Sequence, residues 1–163
     1  IGKILEKLLS ECLEEFDRER KKEGEKTKED VEKQLAVLEN AVATVKDKAG
    51  ELEEKLKESL RERFHQLLGE GVDESRIYAE TAVLLVKYDV NEEITRLSAH
   101  IARFKDILNE ENAIGKKLDF ICQELNREMN TIGSKSTLLE VNQAVIDSKD
   151  AIEKIREQLR NIE

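Results

Sequence analysis

The sequence predicts an all-α protein, in which long antiparallel helices form a helical hairpin or coiled coil beside a smaller helical bundle. No proline occurs among the 163 residues, so long helices can run without an internal break. Charged residues make up 40% of the chain and aromatic residues 4%, a composition typical of amphipathic helices. Apolar residues also follow a seven-residue repeat after residue 30, the pattern of a coiled-coil seam.

The first part, residues 1–72, is predicted to form the helical hairpin or coiled coil. Apolar residues at three- and four-residue steps predict a helix over residues 1–22. Residues 21–30 are almost wholly charged around Gly24, which fits either a solvated hinge or a polar turn of a continuing helix. The seam over residues 31–56 must be covered by another helix or another subunit.

The second part, residues 73–163, is predicted to form the smaller helical domain. Residues 74–88 are the most apolar and predict a central helix buried on more than one side. Residues 90–108 and 116–131 each carry one apolar stripe. A Gly-Ser-Lys-Ser run then breaks the pattern, and a final helix follows a Thr-x-x-Glu sequence typical of a capping box.

Charge and cysteine content narrow the classes of function. A net charge of −9 disfavours a general electrostatic attraction for nucleic acid, because phosphate binding depends on lysine and arginine. Any nucleic-acid role must therefore be local or metal-assisted. No apolar run reaches the roughly 18 residues of a membrane span, and Cys12 and Cys122 lack disulfide or zinc-site spacing. We expect a cytoplasmic protein without membrane contact.

The helix over residues 116–131 carries two dense polar stripes beside its apolar one. Such stripes, followed by a Gly-Ser-Lys-Ser turn at a helix N-terminus, are typical of metal or phosphate sites. The simpler interpretation is a solvated helix face with ion pairs, such as Glu124 with Arg127. The two stripes consist of Asp119, Gln123, Arg127 and Asn130, and of Glu124, Glu128 and Thr131.

The run from Gly115 to Ser136 resembles the C-terminal signature of the YicC/YloC family of bacterial endoribonucleases. That signature is close to G-x-K-L-D-F-x-x-Q-E-x-x-R-E-x-N-T-x-G-S-K-S, and this chain meets every fixed position. Residues 79–100 and the ending KIREQLRNIE also resemble the family. The family's N-terminal domain, roughly the first half of a full-length member, has no counterpart here.

The resemblance implies a cytoplasmic, metal-dependent endoribonuclease that cleaves single-stranded RNA and assembles as a homo-oligomer, with a hexamer expected. Its cofactor would be a divalent ion, manganese or magnesium, which neutralises the scissile phosphate and activates a water. The candidate metal ligands are Glu80, Glu93, His100, Asp119, Glu124 and Glu128, and three of these, His100, Glu124 and Glu128, are also the candidate catalytic groups. The candidate RNA and phosphate contacts are Lys116, Lys117, Arg127, Asn130, Thr131, Ser134 and Lys135.

Other interpretations compete with this one. His100 could be a boundary histidine bonded to a carboxylate, and Cys122 lies on an apolar stripe, which favours packing over nucleophilic chemistry. The Gly133–Thr137 run resembles the end of a Walker A loop but lacks its first glycine and its strand, so we expect no nucleotide cofactor. The chain as a whole could instead be a non-catalytic oligomerisation module, or a coiled-coil adaptor for another protein helix.

Overall fold

A computed structural model of the protein describes residues 2–68, 74–110 and 114–160. Within these ranges the chain is built from helices and connecting turns, which confirms the all-α class. Among the helices that the structure describes, none is long and apolar enough to cross a lipid bilayer. The five described helices are α1 (Gly2–Leu68), α2 (Glu74–Tyr88), α3 (Asn91–Leu108), α4 (Gly115–Lys135) and α5 (Leu139–Leu159).

Helix α1 is a single helix of 67 residues. The charged segment around Gly24 is therefore a polar turn of a continuing helix, because lysine and glutamate are good helix formers and one glycine costs only about 1 kcal/mol. The antiparallel hairpin expected within residues 1–72 is not formed by residues 2–68. The stop expected at Gly69 and Gly71 lies outside the described residues, and the domain division after residue 72 stays a prediction.

The core is a bundle of the middle of α1 with α3, α4 and α5. Helix α1 packs on α3 and α5, and α4 packs on the same two helices. The predicted seam of α1 is buried in this bundle, so helices of the same chain cover it. Its buried members are Val31, Leu35, Leu38, Val42, Val45 and Leu52.

Helix α2 lies on the surface, against α1, so its predicted central position is wrong. Val83 is 68% exposed and Val86 is 80% exposed. The apolar residues of α2 are contiguous in sequence and therefore point around the whole helix, whereas one packed neighbour covers only one side.

The N-terminal part of α1 carries an uncovered apolar stripe. We call it the α1 N-terminal stripe, and each of its large apolar side chains is more than half exposed. Its members are Ile4, Leu5, Leu8, Leu9, Leu13 and Phe16.

Helix α4 continues through the Gly-Ser-Lys sequence to Lys135, where a turn was expected. A Cβ atom at Gly133 would lie 3.3 Å from Cγ1 of Val145, so glycine permits the close approach of α4 and α5. The expected capping box is absent from the start of α5, which has no side-chain cap. The backbone N–H of Leu138 instead donates to Oγ of Ser136 at 3.1 Å.

Candidate metal centre

Helices α3 and α4 bring three potential metal ligands together. His100 lies on α3, and Glu124 and Glu128 lie one turn apart on α4. One ligand atom from each side chain lies within 4.8 Å of the other two. Because Lys135 meets Glu93 while Glu128 meets Arg96, the helices run antiparallel, which places one imidazole opposite two successive turns of α4.

Glu128 is the most buried member of this cluster. Its residue surface is 2% exposed, and its Oε1 atom has no hydrogen-bond partner among the described residues. Its charge is nevertheless opposed by two guanidinium groups, from Arg96 at 3.6 Å and from Arg127 at 3.7 Å. A buried carboxylate is costly unless it is paired and hydrogen-bonded, so Oε1 has capacity for a further cation or donor.

The two arginines differ in their exposure to solvent. Arg96 is also bonded to Glu92 on the same helix. Arg127 donates to Oε2 of Glu124 at 3.2 Å, and its side chain is 62% exposed. Arg127 is thus the more exposed of the two, since the side chain of Arg96 is 47% exposed.

The donor set fits a divalent transition ion. One imidazole and two carboxylates supply three protein ligands, which leaves positions open for water and substrate as catalytic sites require. Carboxylates suit manganese and magnesium alike, whereas imidazole suits transition ions, so the mixed donor set favours manganese over magnesium. The buried Glu128 oxygen, which has no hydrogen-bond partner among the described residues, is available as a ligand for such an ion.

The other three predicted ligands lie outside this cluster. Glu93 accepts a hydrogen bond of 2.8 Å from Lys135, and Asp119 accepts one of 2.9 Å from Arg156. The Arg156 guanidinium also holds the pKa of Asp119 below its ordinary value. Glu80 is exposed on α2. Among the described residues, the structure therefore gathers only three of the six candidates into one possible site.

Comparison with known proteins identifies the family of this chain. The sequence profile described as "Endoribonuclease YicC-like, C-terminal" matches residues 45–163. The chain belongs to this family. The matched segment includes α3, α4 and α5 in full, and therefore all three residues of the cluster.

Two curated YicC proteins are similar to the chain over nearly its whole length. The probable endoribonuclease YicC of Clostridioides difficile (strain 630) is 35% identical over 162 residues, which cover 98% of this chain and 55% of that protein. The probable endoribonuclease YicC of Haemophilus influenzae (strain ATCC 51907 / DSM 11121 / KW20 / Rd) is 34% identical over 156 residues, or 94% of this chain and 53% of that protein. The chain thus spans about half the length of these YicC relatives.

The predicted phosphate contacts of this YicC-like chain are partly engaged within the protein. Lys135 donates to the Asp89 carbonyl at 2.7 Å as well as to Glu93, and Lys117 donates to Glu110 at 2.8 Å. The hydroxyl groups of Thr131 and Ser134 bond to backbone carbonyls of α4. Lys116 and Asn130 are exposed. Since Gly133 to Lys135 are helical, this segment does not form the expected phosphate-binding turn.

Sequence reasoning missed two residues of this YicC-like surface. Arg96 pairs with the buried Glu128 across the helices, and the signal for it was its position four residues before His100. Phe120 is a fixed position of the family signature on the polar side of α4, and it is 59% exposed. Phe120 could have been identified from the sequence because it is an aromatic residue outside the apolar stripe of α4.

Proposed function

We propose that this chain carries the metal-dependent cleavage centre of an endoribonuclease that hydrolyses phosphodiester bonds in single-stranded RNA. The observation that carries the proposal is the cluster of His100, Glu124 and Glu128, with its buried carboxylate oxygen that lacks a hydrogen bond. The names of the two relatives support the reaction class. The local character of the site agrees with a net charge of −9, which disfavours extended phosphate binding.

In this proposal the three clustered side chains hold a manganese or magnesium ion. A bound ion supplies charge neutralisation at the scissile phosphate and lowers the pKa of a bound water. Glu128 gives a fixed anionic anchor because packing holds it in place, and Glu124 and His100 complete the site from the solvent side. Arg127 lies at the mouth of the site, where its guanidinium can bind a phosphate oxygen.

The decisive experiment is cleavage of a labelled single-stranded RNA by the purified 163-residue chain, with manganese, with magnesium and with a chelator. We expect metal-dependent cleavage that is lost in the Glu128→Gln and His100→Ala variants, whose helicity should stay unchanged by circular dichroism. Glu157→Gln is the matched control, because Glu157 is exposed on α5 far along the chain from the cluster. Cleavage that persists in Glu128→Gln would refute the assignment.

We further propose that the protein acts in the cytoplasm as a homo-oligomer, with a hexamer as the expected form. The exposed α1 N-terminal stripe supports self-association, because a contiguous apolar surface of this kind is normally covered by a partner. A Leu9→Asp variant should lower the mass measured in solution by light scattering. Glu124→Ala should leave that mass unchanged.

The same stripe favours a second candidate function, a non-catalytic oligomerisation module or a coiled-coil adaptor. In that case the carboxylate cluster would be a structural network with Arg96 and Arg127. The oligomerisation module or adaptor would be favoured if the folded chain self-associates through the stripe but neither binds manganese nor cleaves RNA.

A further inference from the structure

A cleft of about 290 Å³ lies beside the candidate metal centre, between α3 and α4. This volume is near the lower end of ligand pockets, which run from roughly 300 to 1,000 Å³. Basic and apolar side chains together line the cleft. They are Arg103 and Ile107 from α3, and Lys116, Lys117, Phe120 and Ile121 from α4.

The cleft is locally basic in an acidic chain. Arg103 and Lys116 form no ion pair with any part of the chain that the structure describes, and both are exposed. Lys117 is partly neutralised by Glu110, at 2.8 Å. Two cations that are free to bind an external anion thus flank one aromatic ring.

Phe120 is the only large apolar side chain of α4 that is exposed among the described residues, at 59%. Its neighbour Ile121 is buried in the core, and because successive residues are about 100° apart around a helix, the ring lies outside the packed stripe. A single exposed phenylalanine is unremarkable by itself. A phenylalanine between unpaired basic side chains is the combination that binds single-stranded nucleic acid, where bases stack on rings and phosphates meet cations.

The cleft and the metal centre are neighbours on one surface. Phe120 precedes Glu124 by four residues on α4, and Arg103 follows His100 by three residues on α3. Residues at these spacings are adjacent on a helix surface. Because the helices are antiparallel, both steps lead in the same direction, and the ring lies about 6 Å along the axis from Glu124.

We propose that this cleft is a nucleotide-binding subsite for single-stranded RNA. Phe120 stacks on the base of a nucleotide that flanks the scissile phosphate, while Arg103 and Lys116 bind its backbone phosphates. Stacking on phenylalanine is tolerant of base identity, so this subsite selects unpaired RNA rather than a sequence. The inference rests on the proposed function, because the cleft acts on the strand that the metal centre cleaves.

The test measures RNA binding separately from cleavage. A short single-stranded oligoribonucleotide that contains 2-aminopurine is titrated with the chain in the presence of a chelator, and both anisotropy and 2-aminopurine quenching are recorded. The Phe120→Ala variant should bind the RNA roughly 5- to 150-fold more weakly, because one base loses its stacking partner. Part of the 2-aminopurine quenching should be lost as well. Phe120→Trp should restore both signals, and Arg103→Gln should weaken binding with a smaller dependence on salt.

Tyr78→Ala is the matched control, since Tyr78 has the same 59% exposure as Phe120 but lies on α2. Its affinity for RNA should equal that of the wild type. Equal affinities for wild type and Phe120→Ala would overturn the subsite, even if cleavage still requires His100 and Glu128. Ring-dependent binding and quenching by a chain that shows no metal-dependent cleavage would support the subsite and refute the proposed function.

Discussion

Lys135 and Glu93 form a largely buried ion pair that connects the end of α4 to the start of α3. The Nζ atom of Lys135 lies 2.8 Å from Oε1 of Glu93, and the two side chains are 19% and 7% exposed. Lys135 also donates to the Asp89 carbonyl just before α3. The pair thus fixes the relative register of the two helices that supply the metal centre.

The first prediction concerns this pair. Lys135→Met should lower the free energy of unfolding by about 3–5 kcal/mol, because it leaves Glu93 as a buried carboxylate without a counter-charge. The effect is strengthened by Oε2 of Glu93, which has no hydrogen-bond partner among the described residues. Urea denaturation followed by circular dichroism measures the change.

Lys105→Met is the matched control for this prediction. Lys105 forms an interhelical pair with Glu39 at 2.6 Å, but both side chains are about half exposed. Removal of such an exposed pair should cost at most about 1 kcal/mol. A similar small loss in Lys135→Met would mean that the buried pair does not hold the helices together.

The second prediction concerns competition between Arg127 and a metal ion. Arg127→Gln should tighten manganese binding several-fold, because the guanidinium that contacts both Glu124 and Glu128 opposes the approach of another cation. Electron paramagnetic resonance of free manganese gives the dissociation constant without any measurement of activity. Arg61→Gln, an exposed change on α1, should have no effect, and weaker binding by Arg127→Gln would contradict the proposed site.

The sequence predicted the helical class and the packed stripes because apolar spacing alone carries that information. The stripes that the pattern marked on α3, α4, α5 and the seam of α1 meet in the core, whereas the α1 N-terminal stripe is exposed. The unbroken course of α1 was one of two alternatives, since a charged segment around Gly24 suits a hinge or a helix equally. Helix α2 was misplaced because high apolar content does not say how many neighbours are present to cover it.

The candidate site was predictable as a set of residues but not as an arrangement. Glu124 and Glu128 share a helix, so their proximity follows from spacing. The choice of His100 over Glu80 and Glu93 depends on the register between helices, which periodicity does not encode. The engagement of Lys135 with Glu93 also depends on that register, and the sequence favoured a phosphate contact instead.

The third prediction concerns acid stability. The pKa of Asp119 is held below its ordinary value of 3.8, chiefly by the hydrogen bond from Arg156. A lowered folded-state pKa contributes stability that is present above the unfolded value and is lost as pH falls through the folded value. Arg156→Gln should therefore destabilise the protein at neutral pH, by roughly 1 kcal/mol or less because both groups are partly exposed.

This stability difference should close as the pH falls below 3.8. Thermal melts of wild type and Arg156→Gln at a series of pH values measure the gap. An Asp119→Asn background should reduce its dependence on pH to the part that comes from Glu153, which lies 3.5 Å from Arg156. A gap that stays constant into acid would show that Arg156 stabilises the fold through other contacts.

The fourth prediction separates the two cysteines. Burial raises the pKa of the Cys122 thiol to about 12, whereas Cys12 is exposed. Since the thiolate is the reactive form, iodoacetamide should modify Cys12 and leave Cys122 unmodified in the native Leu9→Asp variant, in which no other copy covers the stripe beside Cys12. Mass spectrometry of peptides before and after denaturation reads out both sites, and rapid native modification of Cys122 would contradict its place in the core.

The length of α1 has a mechanical consequence. Its buried seam begins at Val31, while Ile4 lies about 40 Å further along the same helix axis at 1.5 Å per residue. A continuous helix transmits rotation, so a tilt of about 5° within the bundle displaces the far end by roughly 3–4 Å. Helix α1 therefore acts as a lever arm. A molecule bound at its N-terminal end and a molecule bound between α3 and α4 can each change the position of the other.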